Sequence, residues 1–180
     1  MESRAKVFGH PLHQILIVFP LGLLATAVIF DVVHLATGEP RWADISFWMI
    51  VAGIVGGLVA APPGIIDWLA IPSGTRAKAV GAWHGIGNVV VLGLFAGSLS
   101  LRWNDPAAPT TAALALSFGG VALSLLTAWL GGELVDRLGV GVDPGAHLNS
   151  PSSLSDRPAS AASEGRTPAG PATGPAPAGG

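Results

Sequence analysis

Charged residues fall in clusters along the chain, and the apolar runs between them set the architecture. Between Lys6 and Asp31 lie 24 residues without Asp, Glu, Lys or Arg; Asp44 to Asp67 encloses 22, Lys78 to Arg102 encloses 23, and Asp105 to Glu133 encloses 27. A helix needs about 20 apolar residues to cross a hydrocarbon core of roughly 30 Å, so every run is long enough. The pattern predicts helices near 12–36, 46–69, 79–101 and 110–135. Four buried helices of a soluble core are the alternative, but no polar faces remain to cover them. The expected fold is therefore an all-α membrane protein, with four transmembrane helices in an up-down-up-down bundle over 12–145 behind a short N-terminus, 1–11. Ala25-Thr26-Ala27 resembles a signal cleavage site, yet apolar sequence continues through Val28-Ile29-Phe30, as in a spanning helix. None of the four segments is read as a repeat of another.

Composition agrees. Charged residues make up 11 % of the 180 positions, against roughly 25 % in soluble domains. The absence of cysteine excludes disulfides, thiolate catalysis and zinc–thiolate sites. A net charge of −2 leaves no basic footprint for nucleic acid. Residues 149–180 are rich in Pro, Ala, Gly and Ser, with Leu154 the only large aliphatic, and are expected to form a disordered tail. Arg4, Lys6, Arg76, Lys78, Arg137, Arg157 and Arg166 fall on one side of the four segments, and only Arg41 and Arg102 on the other. Lys and Arg favour the cytoplasm, so a multi-pass protein of a bacterial inner membrane with both termini cytoplasmic is expected. Trp68, Trp83 and Trp129 at one set of helix ends, and Trp42, Trp48 and Trp103 at the other, make two interfacial belts.

Polar groups at membrane depth are costly and mark function. His10 and His13 open segment 1 around Pro11, Asp67 closes segment 2, His84 lies about one turn into segment 3, and Glu133 closes segment 4. All five are expected in one layer at the cytoplasmic end, with Asp31 and His34 a smaller pair at the far end. Helical spacing puts Asn88 on the His84 face, and Asp67 on a face with Gly53, Gly56, Ala60 and Gly64. It groups Glu133 with Ala115, Gly119, Ala122 and Leu126. Pro20 and Pro62-Pro63 interrupt segments 1 and 2.

Three stretches together resemble a bacterial membrane family known as domain of unknown function 2231. They are His10-Pro11-Leu12-His13 continuing to Phe19-Pro20-Leu21-Gly22 and Asp31; Gly64-Ile65-Ile66-Asp67-Trp68 through Arg76 to His84 and Asn88; and Trp129 to Val135 with Gly139-Val140-Gly141-Val142. Gln14 departs from the pattern, which has a second proline after the histidine. The resemblance implies a four-helix integral membrane domain and no particular activity.

The chemistry has to come from the residues, and three classes remain open. The sharpest is one b-type haem between segments 1 and 3, with His13 (or His10 in its place) and His84 as axial ligands. In such a bundle those helices are diagonal, roughly 13 Å apart when neighbours are 8–10 Å apart. Gly81 and Gly85 are expected to open space for the macrocycle, and Asp67, Glu133 and Asn88 to tune charge or move protons. The protein would then carry electrons, with a quinone or a redox protein as partner. The second class is a site without a redox centre. His10, His13, His84, Asp67 and Glu133 would bind a metal or serve proton or small-molecule transport. The third is a membrane anchor or assembly partner with a structural polar cluster. No nucleophile elbow, Walker loop or zincin motif supports a hydrolytic or transferase activity.

Overall fold

The computed structural model describes residues 1–161. A two-strand hairpin, β1 (Lys6–Val7) and β2 (His10–Pro11), leads into α1 (Leu12–Leu16) and α2 (Val18–Thr37), followed by α3 (Pro40–Ala70), α4 (Arg76–Arg102) and α5 (Thr111–Gly132). A π-helical turn, Glu133–Arg137, extends α5. The fold is mostly helical, with four stretches long and apolar enough to cross a membrane: Leu12–Thr37, Pro40–Ala70, Arg76–Arg102 and Thr111–Arg137.

The chain divides into two units, Met1–Val142 and a second from Asp143 onward. In the second, the described residues form only turns and bends, with Gly145 against Ser160. The tail expected over 149–180 lies outside the described residues from 162 on.

Within the first unit α2 packs along α3 and α4 along α5, while α3 meets α4 and α2 meets α5. The first and third spans are therefore diagonal. Side chains such as Val18, Phe19, Ile29, Val55, Leu58, Ile86, Val89 and Leu125 face outward. In a water-soluble protein that much exposed apolar surface would be a liability, whereas lipid is its natural solvent. The interior is narrow: Ala27, Ile50 and Phe95 are fully buried, with Leu24, Val28 and Val91 around them.

The first span breaks between Leu16 and Val18. Pro20 explains this, because it has no N–H for the Leu16 carbonyl one turn earlier. The Pro62-Pro63 pair leaves α3 continuous. It withdraws the donors that would serve the carbonyls of Leu58 and Val59.

The two helical hairpins repeat each other, which the sequence reading missed. Leu24 fills the space beside Gly53, as Phe95 does beside Gly120. Leu24 and Phe95 stand 71 residues apart, and Gly53 and Gly120 stand 67 apart. The 71-residue spacing also aligns His13 with His84, Ile15 with Ile86, Val18 with Val89, Leu21-Gly22-Leu23 with Leu92-Gly93-Leu94, and Ala25 with Ala96. It ends on Asp31 and Arg102, which bond to each other across those same 71 residues. Equivalent residues thus meet on an approximate twofold running along the bundle.

Candidate functional site: a paired imidazole layer

The histidine end of the bundle is built by this repeat. His13, on the first turn of the first span, places Nδ1 2.8 Å from the Ala60 carbonyl of α3. His84 on α4 places Nδ1 2.8 Å from the Thr127 carbonyl of α5. A carbonyl only accepts, so in both rings Nδ1–H is the donor, and in the neutral ring Nε2 keeps its lone pair. Each acceptor has a glycine one turn further along its helix: Gly64 beyond Ala60, and Gly131 beyond Thr127. A Cβ on Gly64 would lie 2.7 Å from His13 Nδ1, and one on Gly131 3.1 Å from His84 Cε1. The glycines are what let the rings lie against the carbonyls.

The rings themselves meet across the diagonal, with centroids 6.3 Å apart and planes at 86°. Asn88 is the polar neighbour. Its amide nitrogen lies 3.1 Å from His84 Nε2 and donates to it, and also donates to the His84 carbonyl at 3.0 Å. Its Oδ1 accepts from the Thr127 hydroxyl at 3.0 Å. Among the residues nominated from sequence, His13, His84 and Asn88 come together.

The others do not join them. Asp67 turns to the N-terminal segment and accepts from Ser3 Oγ at 2.6 Å and from the Arg4 and Ala5 amides at 2.7 and 3.1 Å. Glu133 pairs with Arg76 at 2.6 Å. His10 is exposed on β2, ahead of the first helical turn. Among the described residues, no three His, Asp or Glu side chains gather so as to hold a metal ion. The single layer of five expected from helical-wheel spacing is therefore reduced to two imidazoles and an amide. Wheel arithmetic fixes the direction of Cβ, while the nearest partner decides where a long carboxylate ends.

Two further expectations are corrected. Gly81 holds the Trp68 indole, since a Cβ there would lie 2.7 Å from Cδ1, and Gly85 faces open space; neither glycine lines a slot between the imidazoles. On α5 the face of Gly119 and Leu126 points outward, and the packed face carries Ala113, Ser117, Gly120 and Thr127.

At the opposite end, Asp31 pairs with Arg102 and not with His34, whose Nδ1 bonds the Glu39 carbonyl at 3.0 Å. Both oxygens of Asp31 accept from Arg102 at 2.7 Å, and both side chains have no solvent exposure. The remaining guanidinium N–H groups reach Ser98 Oγ at 3.1 Å, Ser117 Oγ at 3.0 Å and Ser46 Oγ at 3.4 Å. All five donors of the guanidinium are thereby used. This network was hidden in sequence because Arg102 sits at a helix end beside Trp103 and reads as a loop charge.

Comparison with known proteins adds a family and nothing finer. No curated protein and no solved structure matches the chain. The family described as predicted membrane protein (DUF2231) matches residues 9–144, which take in both imidazoles, their carbonyl and glycine partners and the buried ion pair. With that match over most of its length, and with four spans to go with it, the chain belongs to this membrane-protein family.

Proposed function

We propose that the bundle holds one b-type haem between the first and third spans, ligated by His13 and His84, and serves as an electron carrier in the membrane. The observation that carries this reading is the pairing of the two rings. Metal–nitrogen bonds of about 2.0–2.1 Å, with each ring nitrogen about 1 Å from its ring centre, put two ligating imidazoles about 6 Å apart centre to centre. The measured separation is 6.3 Å. Ligating histidines almost always give their other N–H to a carbonyl or carboxylate, which fixes tautomer and orientation. Both rings do so here. The haem would supply one-electron chemistry when bound. The chain's own residues hold the rings in register, and the surrounding spans keep them at membrane depth. The electron partner on this reading is a quinone or a redox protein.

Orientation belongs to the same reading. Arg102 is buried and paired with Asp31, so among the described residues Arg41, on the first turn of α3, is the one exposed cation at that end of the spans. Arg4, Lys6, Arg76, Lys78 and Arg137 stand at the histidine end. That bias supports a cytoplasmic histidine end in a bacterial inner membrane.

A structural role is the second reading, and Asn88 favours it: the amide already satisfies His84 Nε2 from within the protein. The two readings separate in a reduced-minus-oxidised absorption spectrum of the full chain, expressed with ample haem and purified in detergent. The haem reading expects a Soret band that shifts on reduction and is lost in both His13→Ala and His84→Ala. A colourless native protein, folded by circular dichroism, leaves the structural role.

A further inference from the structure

We propose that residues Met1–Ala5 form a strap, fastened by Asp67, that seals the histidine end of the bundle and keeps aqueous solutes from the imidazoles. The strap runs between the ends of two helices. On one side the Asp67 carboxylate collects the Ser3 hydroxyl and the Arg4 and Ala5 amides. On the other, Gly141 N–H donates to the Met1 carbonyl at 2.8 Å, and the Met1 amino group donates to the Gly139 carbonyl at 2.7 Å. A third anchor, Leu12 N–H to the Ala5 carbonyl at 2.8 Å, ties the strap to the start of α1.

Its placement gives the strap a job. Asp67 lies three residues beyond Gly64, which abuts His13, and Leu134 lies three beyond Gly131, which abuts His84. On the Asp67 side the strap therefore lies one helical turn outside His13, and on the other side the segment that holds Met1 is tied to Leu134, whose carbonyl accepts from Val140 N–H at 2.8 Å. Gly141, on the far side of the strap, presses on the Gln14 amide, next to His13. Ser3 is 5 % exposed although it belongs to a polar terminal segment. Three neutral donors converge on one carboxylate, and their charge-assisted bonds tie the strap to the end of α3. Asp67 is thus a positioning residue. It acts on access to the site and does not touch the rings. Nothing in this depends on what the imidazoles bind.

The test is chemical modification of histidine by diethyl pyrocarbonate, read by mass spectrometry on the full chain in lipid nanodiscs. His10 and His147, both exposed, serve as internal references. In the native chain His13 and His84 should react far more slowly than the references. Asp67→Ala should raise their rates about tenfold or more, because it removes three charge-assisted bonds. Ser3→Ala, which removes one, should give a smaller rise in the same direction. A cysteine reporter at buried Ala27, in a chain with no other cysteine, should stay unreactive to maleimide throughout. Unchanged protection of His13 and His84 in Asp67→Ala would overturn the proposal. So would a reactive Ala27 reporter, which would mean general loosening in place of local opening.

Discussion

Positions 13 and 84, at one end of two diagonal helices, carry the same residue, while positions 31 and 102, at the other end, carry opposite charges. The hairpins that supply them share two packing points, where Gly53 and Gly120 take Leu24 and Phe95, and Gly64 and Gly131 take the two imidazoles. At the arginine end, two identical ionised groups would repel in a fully buried site, and the pair is Asp and Arg. Five donors and two carboxylate oxygens then close the site without outside help. At the histidine end both halves keep the ring, its carbonyl and its glycine. Both Nδ1–H groups donate to carbonyls of the neighbouring helix, and His84 Nε2 accepts from Asn88. One end is a buried ion pair closed by five donors, and the other is a pair of like rings held by helix carbonyls.

Removing one charge at the arginine end should have the largest effect. Asp31→Leu strands a buried guanidinium and should cost about 3–5 kcal/mol, whereas Asp31→Leu with Arg102→Met should recover most of it. Thermal midpoints in detergent check this, and a double variant no better than the single would break the contrast. Filling the clearance at the histidine end comes next. Gly64→Ala puts a Cβ 2.7 Å from His13 Nδ1, and overpacking of that kind costs about 1–3 kcal/mol. Gly131→Ala, at 3.1 Å, should cost less. On the proposed function both should also weaken the Soret band, an effect the Asp31 variants should not share.

Smaller effects sharpen the picture. Thr127→Val removes the hydroxyl that holds Asn88 and should cost about 1 kcal/mol. Phe8 occupies a left-handed conformation, φ 48°, beside Gly9 at φ 81° in the turn between β1 and β2. Two-residue hairpin turns of this kind prefer Asn-Gly. Phe8→Asn should therefore stabilise the hairpin, by up to about 1 kcal/mol in the thermal midpoint.

Much of the fold was legible in sequence because lipid imposes a simple rule: long uncharged runs must be helices. Small residues also located one interface correctly, since Gly53, Gly56, Ala60 and Gly64 do face the first span. The site was legible only in part. His13 and His84 could be placed at one depth on diagonal helices, but the direct approach of the rings to 6.3 Å depends on side-chain reach that spacing does not encode. The carboxylates could not be placed, because Asp67 is claimed by backbone amides whose positions no side-chain pattern encodes. Arg102 was obscured by its place at a helix end. The repeat escaped because its identities are scattered, common apolar residues, while its ends and packing points carry unlike counterparts, Asp31 with Arg102 and Leu24 with Phe95.

The most direct test of the histidine end is nitrogen-15 NMR of histidine-labelled chain, free of haem, in lipid at neutral pH. The account predicts that His13 and His84 both carry their proton on Nδ1, leaving two Nε2 lone pairs in the shared layer. A proton on Nε2 and none on Nδ1 of either ring would contradict it, since that Nδ1 could not donate to its carbonyl and that Nε2 would have no lone pair to offer.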